Sequence, residues 1–383
     1  MPHATRTPYV GRVPAPPAPF AAPPSVLEAS AFLRACRSEA GAAGAANARV
    51  PVWFMRQAGR SLPEYKAIRG EGSILDAIRI PELSAEITRQ PVDRYGVDAA
   101  ILYSDIVVPV AAIGFGVDIA PGIGPVVDQP FTRVEDLQRL RPLDPEADTP
   151  FVIETVRELV RTLDVPLIGF AGAPFTVASY LVEGRPSRTY GLTKSMMHGE
   201  PAVWHQLMDR LADLAIASLR SQVTNGAAAV QLFDSWAGAL TPSDYEAYVL
   251  PHSTKVFAAI AELGVPRIHF GVATGEILTL MRDAGADVVG VDWRVPLDAA
   301  RARVGPGHAL QGNLDPAICL SAWPVVEAEV RAVLARNGGH PGHIFNLGHG
   351  VYPETDPAIL EQVVALVHAE GRTDGHGPGE VAS

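Results

Sequence analysis

Pro51-Val-Trp-Phe-Met-Arg-Gln-Ala-Gly-Arg60 starts with five apolar residues and then changes character. The run 51–55 reads as a short buried strand. It stops on Arg56, Gln57 and Arg60, with Ala58 and Gly59 between them. Two guanidiniums and an amide thus follow the end of a buried strand. Gly59 brings a backbone free to take unusual dihedrals or to approach a ligand closely. A guanidinium fork holds a carboxylate or phosphate through two hydrogen bonds of fixed geometry. Two readings stand at this point: an anion-holding site on a rigid element, or arginines paired with acids at a domain rim.

Outward from this stretch the chain alternates. Apolar runs recur at 98–103, 166–170, 228–233, 266–270, 287–291, 308–311 and 343–346, which with 51–55 makes eight. Helical patterns fill most gaps, at 81–94, 149–163, 200–225, 242–263, 275–284, 296–303, 322–337 and 356–370. Thr241-Pro and Asp356-Pro each supply an N-cap followed by proline at the first helical position. Eight β–α repeats predict a single-domain (β/α)8 TIM barrel, an α/β fold, not a doubly wound sheet. Nearly continuous apolar strands suit parallel pairing buried on both faces. The stretch 105–130, rich in glycine and proline, predicts an excursion such as a hairpin over one mouth. A disordered Pro/Ala-rich arm is expected at 1–24, the barrel at 25–371 and a frayed tail at 372–383.

Composition narrows the function classes. The 383 residues are 48% hydrophobic and 19% charged, which suits a large core. The net charge of −11 disfavours nucleic acid or an anionic membrane as partner, but leaves a small anionic substrate open. Cys36 and Cys319 are too few and too far apart for a disulfide framework. No apolar run approaches about 18 residues, and no secretory leader is evident, so the expected compartment is the cytoplasm.

Barrel active sites gather at the C-terminal ends of the strands. Polar residues or glycines follow all eight runs: Arg56, Gln57 and Arg60; Ser104 and Asp105; Gly172 to Thr176 and then Tyr180; Asp234 and Ser235; Gly271 and Thr274; Asp292; Gly312, Asn313 and Asp315; and Gly348, His349 and Gly350. No three Cys, His or carboxylate residues sit at metal-ligand spacing, and there is no P-loop. Asp105 ends an apolar strand, where a carboxylate is costly unless paired. It either pairs with Arg56 or Arg60, or faces a substrate that donates N–H groups or develops positive charge. His349 between glycines suits close ligand approach, a structural histidine or a phosphate-cradling loop.

These residues carry a family resemblance. The stretch 51–60 resembles the first signature of the uroporphyrinogen decarboxylase family, and 168–176 with 179–184 resembles the second. Blocks at 103–106, 231–235, 312–316 and 345–350 are similar to further family blocks, in family order from about 27 to 370. The resemblance implies a single barrel, a homodimer, and no metal or organic cofactor. It implies loss of CO2 from the four acetates of uroporphyrinogen III to give coproporphyrinogen III. It also implies that Arg56, Gln57, Ala58, Gly59, Arg60, Asp105, Tyr180, Ser235 and His349 bind the substrate, with Asp105 and Arg56 catalytic. The rivals are a zinc-dependent methyltransferase of a related barrel superfamily, a non-catalytic tetrapyrrole binder and a phosphosugar enzyme. The cysteines supply no zinc set, Asp105 is present, and no lysine ends a strand.

Overall fold

The computed structural model describes Leu27 and residues 29–39, 49–59, 61–120 and 122–373. The arm at 1–24 and the tail from 374 lie outside the described residues. Arg372, expected to fray, pairs antiparallel with Arg49.

Among the described residues nine strands form: β1 (Ala100–Ile101), β2 (Val117–Ala120), β3 (Gly124–Val127), β4 (Leu167–Gly172), β5 (Ala229–Asp234), β6 (Arg267–Gly271), β7 (Val288–Gly290), β8 (Ala309–Gln311) and β9 (His343–Ile344). Seven of them make one parallel sheet in the order β1-β4-β5-β6-β7-β8-β9. The eighth expected strand is reduced to one parallel bridge, Val52 to Phe345. It nevertheless bonds on both sides. Phe345 N donates to Pro51 O at 2.8 Å and Asp98 N to Val52 O at 2.7 Å. The segment therefore spans the two edges of the sheet and closes the barrel. It leaves the ladder early because side chains take over its N–H groups: Gln57 Oε1 accepts from Phe54 N, and Asn346 Oδ1 from Met55 N, both at 3.0 Å.

Alternation along the strands sorts interior from exterior. Gln311 on β8 donates to Gln231 on β5 at 2.9 Å, and Trp53 Nε1 donates to Gln311 at 3.0 Å. These strands are not neighbours, so the contacts cross the barrel interior. Two residues on from Gln231, Phe233 also faces inward. Its ring meets Phe170 at 5.3 Å and Phe270 at 6.1 Å. Asp234, after Phe233, and His269, before Phe270, turn out toward the helices, where they meet Thr176 and Met281.

The helices follow the expected spacing, among them Pro81–Tyr95, Pro150–Thr162, Pro201–Thr224, Trp323–Asn337 and Pro357–Glu370. Thr241 and Asp356 cap as expected, accepting from Asp244 N and Ala358 N. The helix expected at 242–263 is two, Pro242–Tyr248 and Leu250–Ala261, because Pro251 has no N–H to continue the ladder. The stretch 105–130 holds a short helix, Val108–Ala112, and the β2–β3 hairpin. Sequence reading missed the helix Pro174–Glu183. Eight of its ten residues are buried, so it has no polar face and no amphipathic period. The hairpin is pinned to this helix: Val127 N donates to Gly184 O and Phe131 N to Leu181 O.

The barrel is tied at the opposite end. Buried Asp98 accepts from Val52 N and His368 Nε2, both at 2.7 Å, and pairs with Arg49. One carboxylate thus joins the first strand to the last helix.

Candidate active site

The C-terminal mouth is assembled by loops that approach at backbone distance. Gly348 N donates to Leu314 O at 2.7 Å, and a Cβ at Gly348 would collide with the backbone of Trp293. Val351 N donates to Met55 O at 2.9 Å, which lays the 348–351 loop over the end of the first strand. A Cβ at Gly350 would lie 2.5 Å from Cδ and 2.7 Å from Cγ of Arg56. The Arg56 side chain can cross this point only because residue 350 has none.

Arg56 itself adopts the left-handed region, with φ 59°. Backbone freedom was expected at Gly59, but Gly59 is not left-handed; it is buried and its carbonyl accepts from Leu62 N. The unusual dihedral belongs to the exposed arginine, whose side chain passes against Gly350. Ala58 is half-buried beside it. Arg60 lies outside the described residues.

Gln57 is turned inward. Its side chain has no exposed surface, with Oε1 on Phe54 N and Nε2 on Ala99 O. An amide with each end bonded to backbone braces the loop.

Three other expected residues, Asp105, Tyr180 and His349, share one electrostatic neighbourhood with Arg56. Asp105 is half-buried and accepts from Val107 N at 3.1 Å. Burial, with the Asp105 charge, pushes the Tyr180 phenol above its usual range, while Arg56 opposes. Tyr180 is therefore a hydroxyl donor at neutral pH. Burial also lowers His349 to about 4, helped by Arg56 and Arg294 and opposed by Asp292, so the imidazole is neutral. Ser235 is half-buried at the end of β5. Below them the half-buried rings of Phe170 and Phe233 make an apolar floor.

Other polar residues at the strand ends serve structure. Asp234 accepts from Thr176 Oγ1 at 2.9 Å, on the helix side of the sheet. Asp292 accepts from Ala273 N, Arg294 N and the Arg294 guanidinium. Asn313 donates to the carbonyls of Asp292 and Val295. Asp315 accepts from Ala317 N. Among the described residues no His, Cys, Asp and Glu side chains group to hold a metal. Nor is any helix there long and apolar enough to cross a membrane.

Sequence reading overlooked Arg294, whose guanidinium lies 4.0 Å from the Trp293 ring and acts on His349. It overlooked Trp236 and Tyr190 as well. Trp236 directly follows Ser235, which was a usable signal; Tyr190 reaches the mouth only through the folding of the 184–190 connection.

Residues 28–370 match the family described as uroporphyrinogen decarboxylase (URO-D). A protein of that name from Salinispora tropica is 61% identical over 340 residues, covering 88% of this chain and 90% of that one. Another, from Streptomyces griseus, is 59% identical over 342 residues, covering 89% and 92%. Among solved structures, a methyltransferase from Methanosarcina mazei matches with a TM-score of 0.69 at 19% identity, covering 88% of this chain and 97% of that one. At that identity the likeness shows a shared fold only.

Proposed function

The chain belongs to the uroporphyrinogen decarboxylase family, and on that premise we propose that its barrel mouth releases CO2 from the four acetate side chains of uroporphyrinogen III, leaving coproporphyrinogen III. One observation carries the reading at the level of chemistry. A carboxylate, an arginine and a protonated phenol share a neighbourhood above an apolar floor.

Losing CO2 from a pyrrole acetate needs an electron sink. A proton added to a ring carbon makes the pyrrole a cationic iminium. The bond to the carboxylate then breaks, and its electron pair flows into the ring. The exocyclic carbon takes a proton to become methyl, and the ring carbon gives its proton back. The net change is one proton consumed and one CO2 released for each acetate.

Asp105 is proposed to accept from pyrrole N–H groups and to stabilise the ring cation more than the neutral ground state, which is what lowers a barrier. Arg56, with Arg60, holds substrate carboxylates, each charge-assisted bond contributing roughly 1.5–3 kcal/mol. Arg56 is also proposed to assist delivery of the proton, although a guanidinium is a poor acid. Tyr180, Ser235 and neutral His349 hydrogen-bond peripheral carboxylates. Gln57 acts through the loop it braces, with Ala58 and Gly59 lining the loop it holds. The acidic net charge does not oppose this, because a cleft's local field decides binding. A cytoplasmic homodimer is part of the proposal and rests on the resemblance; size-exclusion chromatography of the purified protein tests the dimer.

The reading is tested by anaerobic incubation with uroporphyrinogen III, resolving products by carboxylate number. Stepwise passage from eight carboxylates to four is the expected result. Binding without any seven-carboxylate product would refute catalysis.

A further inference from the structure

The proposed chemistry leaves two aromatic residues at the mouth without a task. Trp236 sits between two tyrosines, its ring 4.1 Å from Tyr180 and 5.0 Å from Tyr190. Tyr180 in turn feels the charges of Asp105 and Arg56. Trp236 is therefore one ring removed from the proposed reacting centre.

The placement is built, not incidental. Trp236 N donates to Thr176 Oγ1 at 3.3 Å, and Thr176 is fixed by its bond to buried Asp234. Tyr190 holds φ 52°, a left-handed conformation that costs a bulky residue energy and persists only where its surroundings impose it. Those surroundings are specific. Ser187 Oγ accepts from Tyr190 N at 3.0 Å. Lys194, one turn on, reaches Ala239 O at 2.6 Å and so ties this segment to the Trp236 loop.

Both side chains are half-buried and keep a donor unspent. An indole N–H can only donate, and Trp236 Nε1 meets no acceptor among the described residues. The Tyr190 hydroxyl meets none there either; burial, with Glu183, holds its phenol at about 12, so it keeps its proton. Aromatic faces with free donors on their edges suit a flat, partly apolar ligand that carries carboxylates.

Resting on the decarboxylase reading, we propose that Trp236 and Tyr190 form a second substrate subsite: their rings carry the pyrrole next to the one at Asp105, and their N–H and O–H hold that pyrrole's carboxylate. An aromatic shelf has no directional preference among pyrrole faces. It can retain the partly decarboxylated tetrapyrrole while each acetate in turn reaches Asp105.

Tyr190→Phe removes only the donor and keeps the ring; Trp236→Phe removes the donor together with the second ring of the indole. Each is expected to raise KM for uroporphyrinogen about tenfold, the loss of one hydrogen bond to a charged group, with kcat within about twofold. Each should also release more seven-, six- and five-carboxylate intermediates than wild type. A merely structural role would leave that intermediate pattern unmoved. If Trp236→Phe fails to fold, Tyr190→Phe carries the test alone, since the hydroxyl it removes bonds nothing among the described residues. Unchanged KM and intermediates beside an active wild type would overturn the subsite alone. A wild type that makes no product would overturn the decarboxylase reading and the subsite with it.

Discussion

Gly350→Ala places a methyl group where Arg56 now lies. The added Cβ would sit 2.5, 2.7 and 3.1 Å from Cδ, Cγ and Cβ of Arg56. Contact with Cβ and Cγ is contact with the root of the side chain, so a flick of the guanidinium cannot relieve it. The whole side chain must leave its position. Gly350 is not left-handed, so the backbone itself accepts alanine without strain. The damage thus falls on Arg56 and not on the fold. If Arg56 holds a substrate carboxylate, the loss is one charge-assisted bond, roughly 1.5–3 kcal/mol, or about 10- to 150-fold in kcat/KM. The assay is kcat/KM for uroporphyrinogen III beside a thermal melt, on Gly350→Ala, Arg56→Ala and the double variant. The two changes should fail to add, because each removes the same interaction. Full activity in Gly350→Ala would refute the reasoning. So would additive losses, which would mean that the methyl acts elsewhere.

Three further outcomes follow from the titrating groups. Burial would raise the Asp98 carboxyl, but His368, Arg49 and Val52 N outweigh it and the net shift is downward. A lowered folded pKa gives stability that is present above the unfolded value of about 3.9 and is lost as pH falls through the folded one. Asp98→Asn should therefore lower the urea midpoint at pH 7, with the gap to wild type closing below about pH 4; a gap constant down to pH 3 would contradict this. His349 is lowered to about 4 by burial and Arg56, so its ring should show no protonation by NMR between pH 7 and 5. A midpoint near the ordinary 6.5 would mean that the imidazole faces open water. His349→Ala should then raise KM more than it lowers kcat.

The barrel was legible because its strands are apolar on both faces and its helices carry proline and polar caps at their starts. What escaped had physical causes. The helix Pro174–Glu183, buried on nearly every side, presents no periodicity to read. The first strand shrinks to one bridge because Gln57 and Asn346 replace ladder partners by side-chain acceptors, a contact spanning 291 positions in the second case. At the mouth, the types and order of residues were readable but their directions were not. Asp234 and Asp292 follow strands as Asp105 does, yet they brace neighbouring loops through Thr176, Ala273 and Arg294. Gln57 was read as a ligand contact, and the bracing role of its side chain was not readable from the sequence. The left-handed turn fell on Arg56 and not on the neighbouring glycine, because the Gly350 loop lying across it leaves room for the side chain there.

The central claim is that the Asp105 charge, not its shape, drives the chemistry. Asp105→Asn keeps the size and the acceptor for Val107 N while removing the charge. Its kcat should fall on the order of 100-fold or more, the cost of deleting one preorganised group aimed at developing charge, with coproporphyrinogen formation stalling behind the first CO2. An Asp105→Asn protein with wild-type kcat/KM would show that the cation is stabilised elsewhere, and the account of the site would fall.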